Sequence, residues 1–250
     1  MTKDIIKFNS IEDLDRLLDS LPTKEKKVSA IMDYFLENVE YDYATLELAS
    51  LDYKIVDYVD THFSCDNPLD IIRATHYLKH DASLSDEAVD RLLQFYGKKQ
   101  LVPATPERKM FGKIYPATSE HYVTNNLLMS LNQVPSPVTY ENGLIKKGVC
   151  AHFSEFIKSV CNNHGIECSI LGGSTPVAHA WNRVSSLHYD ITYAMFVRDH
   201  YNDWDKKTTF SHWLGVSDKS LLTTHPTRTI SSEDGRPIVP PITHMSFDKD

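Results

Sequence analysis

The chain has 250 residues, 41% hydrophobic and 24% charged, with a formal net charge of −8. That is the composition of an ordinary globular protein, long enough for one large domain or for a catalytic domain with a sizeable extension. The acidic balance argues against a general nucleic-acid binder, and no run of apolar residues is long enough to predict a membrane-spanning helix.

The N-terminal stretch MTKDIIKFNSIEDLD has no apolar core of signal-peptide length, so the expected address is the cytoplasm, with export by a route that needs no Sec signal left open. There Cys65, Cys150, Cys161 and Cys168 are expected as reduced thiols.

In chain order, Ser10 precedes IEDLDRLLDSL as a cap, with Asp13 three residues on, and Pro22 closes the run. A second helix is predicted from Lys24 to Glu40. Its apolar residues Val28, Ile31, Met32, Phe35, Leu36 and Val39 recur at steps of three and four and so form one core-facing stripe. Asp66 or Asn67 before Pro68 marks the start of PLDIIRATHYLKH, and Ser85 starts DEAVDRLLQFY, which Gly97 ends. A further helical pattern runs from Ser119 to Leu131. Gln133 to Gly143 carries two prolines and two turn-forming residues and reads as a connector.

After the connector the texture changes. A helix is predicted from Cys150 to His164, with Phe153, Phe156, Ile157, Val160 and Cys161 as its apolar stripe and Gly165 as a left-handed stop. Three strands are predicted next, over Glu167–Leu171, Ala178–Val184 and His188–Phe196. The expected organisation is therefore α+β. Residues 1–132 form a mainly helical N-terminal region, with 24–42 packing on the core and 43–132 a helical insertion. Residues 133–222 form the core, a helix packed on an antiparallel sheet, and 223–250 a proline-rich irregular tail.

Cys150 falls at the first helical position, immediately after Gly148-Val149. An ordinary free thiol, with a pKa of about 8.5, is only ~3% thiolate at neutral pH. The exposed N–H groups and positive dipole end of a helix favour the charged form. A nucleophilic cysteine needs a base, and the hairpin supplies a candidate. With a two-residue loop at Ser185–Ser186, Val184 faces Leu187, Trp181 lies opposite Asp190, and His179 lies opposite Thr192. His179, Trp181 and Asp190 then share a face, with Asp190 diagonal to His179, as the orienting acid of a triad requires. A one-residue or three-residue loop would break that phasing. Asn182 points to the opposite face, toward a structural hydrogen bond.

These residues resemble the transglutaminase-like branch of the papain-like cysteine enzymes. The match is carried by Lys147-Gly-Val-Cys150-Ala-His-Phe-Ser154, His179-Ala-Trp-Asn182 and Asp190-Ile-Thr192. Asn38-Val-Glu-Tyr-Asp42 and His164-Gly-Ile-Glu167 support it. The resemblance implies Cys150 as nucleophile, His179 as base and Asp190 as orienting acid, on a papain-like core. It covers residues 143–199 and the short piece at 38–42. The His–Asp hairpin is shorter than is usual there, by an even number of residues, and the stretch between Asp42 and Gly148 is longer.

The implied activity is cysteine-dependent acyl transfer at an amide bond: hydrolysis by a peptidase or glutamine deamidase, or transglutamination. Competing readings are acyl transfer from a thioester, as in arylamine N-acetyltransferases, and a non-catalytic interaction module on the same fold. The oxyanion hole would use the Cys150 N–H and an upstream donor, with Gln133 preferred over Asn132 and Tyr140. Trp181 would shield the His–Asp contact from water. His152, two residues beyond the nucleophile, is expected to face solvent or a neighbouring loop.

No cofactor or metal is expected. Cys150, Cys161 and Cys168 lack the short paired spacing of structural zinc, so Cys161 and Cys168 are read as core. His76 and His80 lack an HExxH acid and are read as a packed or solvated pair. The expected partner is a protein or peptide substrate, not a nucleic acid or a membrane.

Overall fold

A computed structural model describes residues 8–97, 99–101, 107–110, 113–116, 122–124, 127, 130–131, 134, 136–175, 177–201, 212–224 and 231–232. The chain divides into two compact units, one of Met1–Tyr41 with Pro137–Asp250 and one of Asp42–Ser136. The class is α+β: a helical N-terminal part, followed by a helix packed on an antiparallel sheet.

The chain opens with α1 (Ile11–Ser20), α2 (Lys24–Asn38) and the short strand β1 (Glu40–Tyr41). Thr23 caps α2 by accepting from the Lys26 N–H at 3.3 Å. The α2 stripe read from the sequence is buried along its length, together with Tyr34.

The second unit begins with four helices, α3 (Tyr43–Ser50), α4 (Tyr53–His62), α5 (Pro68–His80) and α6 (Asp86–Leu93). Each has a side-chain cap: Asp42, Asp52, Asn67 and Ser85 accept from the first-turn N–H groups. The helices share an apolar core that includes Leu48, Val59, Leu78 and Leu92, joined by Leu127 and Leu131. Glu47 ties α3 to the start of α6 by accepting from both the N–H and the hydroxyl of Ser85, at 2.8 and 2.7 Å.

This unit is not wholly helical. Strands β2 (Lys99–Leu101) and β5 (Tyr122–Thr124) pair antiparallel, and so do β3 (Glu107–Met110) and β4 (Lys113–Pro116). Within Ser119–Leu131, where the sequence pattern predicts a helix, Tyr122–Thr124 is therefore a strand. Leu127, Ser130 and Leu131 are helical, and the remaining positions lie outside the described residues. Tyr-Val-Thr is a run of strand formers, and a pairing partner decides such a run against helical periodicity.

The chain returns to the first unit with β6 (Thr139–Glu141) and β7 (Leu144–Gly148), a hairpin whose inner strand β7 also pairs parallel with β1. Next come α7 (Cys150–Asn163), β8 (Cys168–Thr175), β9 (Val177–Val184) and β10 (Leu187–Tyr189). The chain continues through α8 (Ile191–His200), β11 (Leu214–Val216), α9 (Asp218–Thr224) and β12 (Ser231–Ser232).

The five-stranded sheet has the order β11-β10-β9-β8-β12, antiparallel throughout. Helix α7 packs on β8 and β9, and its stripe of Phe153, Phe156, Ile157, Val160 and Cys161 is buried. Aromatic edges lock α2 to α7: Phe35 meets Phe153 at 5.2 Å and Phe156 at 5.9 Å between ring centroids. The Tyr34 hydroxyl donates to the Ile145 carbonyl of β7.

Two predictions for this half need correction. The strand expected over His188–Phe196 stops at Tyr189, and α8 takes over from Ile191. Asp190 caps the new helix by accepting from the Tyr193 N–H at 3.1 Å, and Ile191, Ala194 and Met195 bury at helical spacing. The expected tail, 223–250, is not irregular throughout. Helix α9 runs to Thr224, and Ser231–Ser232 adds a strand to β8, with Ser231 opposite Gly172. Its remaining residues lie outside the described set.

Candidate active site

Strand β7 delivers Gly148 beside Tyr41 of β1, and α7 starts two residues later with a partly exposed Cys150. Position Gly148 is crowded. A Cβ there would lie 3.2 Å from the Cβ and Nδ1 of His152 and 3.3 Å from the Phe153 ring. The close approach required of this glycine is thus to its own helix. The N-cap position is Val149, whose side chain cannot bond the helix start. His152 folds back instead, and its Nδ1 accepts from the Val149 N–H at 3.3 Å. This corrects the expectation that His152 faces solvent or a neighbouring loop. As the first residue of α7, Cys150 has no intrahelical acceptor for its N–H.

The hairpin supplies the imidazole. β9 and β10 turn at Ser185–Ser186, with Ser185 at φ 56, and the register pairs Leu187 with Val184, His188 with Arg183 and Tyr189 with Asn182. Pairing ends there, so Thr192 does not face His179 across a ladder. Asp190 instead anchors its backbone by donating to the Trp213 carbonyl at 2.8 Å. Its carboxylate then divides its work: Oδ1 caps α8, and Oδ2 sits 2.6 Å from His179 Nε2. On the same ring, the Cys150 side chain lies within hydrogen-bonding reach of His179.

Both members of the His–Asp pair are buried, Asp190 fully. Burial alone would push the His179 imidazole down. The Asp190 charge and hydrogen bond, helped by the bond to Cys150 and its charge, outweigh it and take the ring up to about 10. The ring is thus held as an imidazolium at neutral pH beside the thiol that opens α7.

Two aromatic rings confine the imidazole. Trp181 stacks on it with centroids 5.8 Å apart and planes inclined 26°, and Tyr193 presents an edge at 5.4 Å and 81°. Trp213 in turn stacks on Tyr193 at 4.8 Å. Asn182 lies fully buried, donating to the Ser154 carbonyl of α7 at 3.0 Å and to the Cys168 sulfur at 3.4 Å. The Cys161 thiol is hydrogen-bonded to Cys168, and that contact and burial push it well above the ordinary range.

Of the oxyanion-hole candidates, Gln133 and Asn132 lie outside the described residues, and Tyr140 stands half-exposed on β6. His76 and His80 stack at 4.3 Å. Among the described residues no group of three or more His, Cys, Asp or Glu side chains could hold a metal ion, and no helix is long and apolar enough to cross a membrane. Sequence reading did not single out Tyr193, His188 or Asp218. Only the first two left a local signal: Tyr193 is three residues beyond a capping Asp, and His188 shares the parity of Asp190. In comparisons with known proteins, the chain has no significant match to any family model, curated protein or solved structure.

Proposed function

We propose that the protein is a transglutaminase-like cysteine enzyme with a papain-like core, cleaving amide bonds through Cys150, His179 and Asp190. The observation that carries this reading is one continuous chain of contacts. Asp190 holds His179 Nε2 at 2.6 Å, and the ring lies within hydrogen-bonding reach of the thiol that opens α7.

In this mechanism the Cys150 thiolate attacks the amide carbonyl carbon and a C–S bond forms. The carbonyl oxygen takes up the negative charge and is met by the Cys150 N–H at the helix start. His179 passes its proton to the amide nitrogen, the C–N bond breaks, and an amine leaves. Water then attacks the thioester, gives a proton to His179, and releases the acid with the thiolate restored. Because Cys150 is partly exposed, water reaches the acyl-enzyme, and hydrolysis by a peptidase or glutamine deamidase is the favoured outcome over transfer to a lysine. The substrate is a protein or peptide.

The test is the rate of Cys150 alkylation by iodoacetamide across pH, read by peptide mass spectrometry, with Cys161 and Cys168 as internal controls. Alkylation in mild acid far faster than the controls, lost in His179→Ala, supports the ion pair. An ordinary thiol profile at Cys150 overturns the nucleophile reading. Peptide, glutamine-amide and amine substrates then separate hydrolysis from transfer.

A further inference from the structure

Behind the candidate triad lies a second His–Asp pair that the mechanism does not use. His188 pairs with Arg183 across the β9–β10 hairpin, which places it diagonal to Trp181 on the same face. The Trp181 indole N–H donates to His188 Nδ1 at 3.1 Å, and His188 Nε2 lies 2.5 Å from Asp218 Oδ1. Trp181 and His188 are both buried, at 1% and 0% exposure. Asp218, at the start of α9, is half-exposed and also lies 3.8 Å from the Arg183 guanidinium.

The direction of each bond follows from the groups. An indole nitrogen can only donate, so His188 Nδ1 must accept, and the ring hydrogen sits on Nε2, where it points at the Asp218 carboxylate. Asp218 therefore selects the one tautomer of His188 that can receive Trp181. Losing the acceptor would leave a buried N–H unsatisfied, and the indole would turn or admit water to recover a bond. The face of that indole is what covers His179. A dry contact makes the Asp190–His179 attraction strong, and water at that contact weakens it.

Resting on the nucleophile reading above, we propose that His188 and Asp218 are positioning residues that lock Trp181 over His179 and so sustain the charge on the imidazole. Neither touches the reacting atoms. Their effect passes through the indole, and this makes it separable from a general structural role.

The test is the acid limb of the Cys150 alkylation profile in a double-mutant cycle. His188→Phe fills the space but cannot accept, and Trp181→Phe keeps a ring but cannot donate. Each is expected to raise the limb by about one pH unit, roughly a tenfold slower reaction near pH 6, and the double variant to raise it no further than either alone. A folded His188→Phe with a lower melting temperature and an unmoved limb overturns the proposal, leaving the nucleophile reading intact. Additive shifts in the double variant also overturn it, because His188 would then act by another route. If His188→Phe does not fold, Asp218→Ala at its half-exposed position, which removes the acceptor for Nε2–H, takes its place. A smaller shift in the same direction supports the proposal, and no shift overturns it. A wild-type limb at the ordinary thiol position removes the nucleophile reading and this proposal together.

Discussion

Two fully buried aspartates, one in each unit, are built to the same local plan and do different work. Asp42 starts α3 and Asp190 starts α8, each with Oδ1 accepting from the N–H three residues on, at 3.4 and 3.1 Å. Each turns Oδ2 to a nitrogen cation, Arg91 at 2.8 Å or His179 at 2.6 Å. Asp42 also accepts from the Thr45 hydroxyl, and Arg91 spends another N–H on Glu87. A guanidinium never releases its proton, so the Asp42 cluster can only hold α3 and α6 together. An imidazole has a second nitrogen and an adjustable charge, and the His179 ring lies within hydrogen-bonding reach of Cys150. The cap and the ion pair are common to both; the partner's chemistry makes one a clamp and the other a candidate relay.

Removing either carboxylate is the hardest way to break the parallel. Asp42→Ala takes the buried carboxylate from a partly buried Arg91 that keeps Glu87, Asp190→Ala takes it from the buried His179, and both leave a helix without its cap. Each is expected to cost about 3–5 kcal/mol, read as the loss in urea unfolding free energy. Thiol reactivity should separate them. Asp190→Ala should slow Cys150 alkylation near pH 6 on the order of a hundredfold, each pKa unit being a factor of ten. Asp42→Asn, which keeps a capping side chain, should leave that rate at the wild-type value. Equal loss of reactivity in both would refute the division of roles.

Titration sharpens the same contrast, because the two pairs fail on opposite sides of neutrality. His179 is raised from 6.5 to about 10. Its stabilisation is therefore fully present below about pH 6.5 and lost as pH climbs toward 10. Asp42 moves the other way. Burial opposes its charge, but the Arg91 and Thr45 bonds and the Arg91 charge prevail and hold it below its ordinary 3.8. Its contribution is present above about pH 3.8 and disappears as pH falls through the lowered value. The stability gap between wild type and His179→Gln should thus narrow on the alkaline side, and the gap to Asp42→Asn only in acid. Chemical denaturation of the three proteins at several pH values reads both slopes.

What was legible in the sequence follows how local the determining contact is. Asn67 and Ser85 announced their helices because a cap bonds within three residues. The phasing of His179 and Asp190 was readable because a two-residue turn fixes strand parity. The end of β10 was misread: Ile191-Thr192-Tyr193 has strand propensity, and only Asp190's cap and the burial of Ile191, Ala194 and Met195 decide for helix. Pairing of Leu101 with Tyr122, and of Ser231 with Gly172, depends on partners far along the chain, as does the contact of His188 with Asp218. No spacing rule selects such partners, so the strands of the second unit and the support behind Trp181 became visible only with the fold.

The smallest effects lie at the two ends of α7, where two glycines are needed for different reasons. At Gly148 an added Cβ presses within 3.2 Å of His152, whose ring caps the helix start. Gly148→Ala should cost about 1–3 kcal/mol and slow Cys150 alkylation several-fold, because the thiol sits on the turn that must shift. Gly165 has φ +67 and no atom within 4 Å of its added Cβ. Only the left-handed backbone is strained in Gly165→Ala, at about 1 kcal/mol, and the strain falls beyond the helix end remote from Cys150. Its urea midpoint should fall slightly while its alkylation profile overlays the wild type. A changed profile in Gly165→Ala would mean that strain travels the length of α7 to the thiol, and reactivity would then report on the whole helix, not on its first turn.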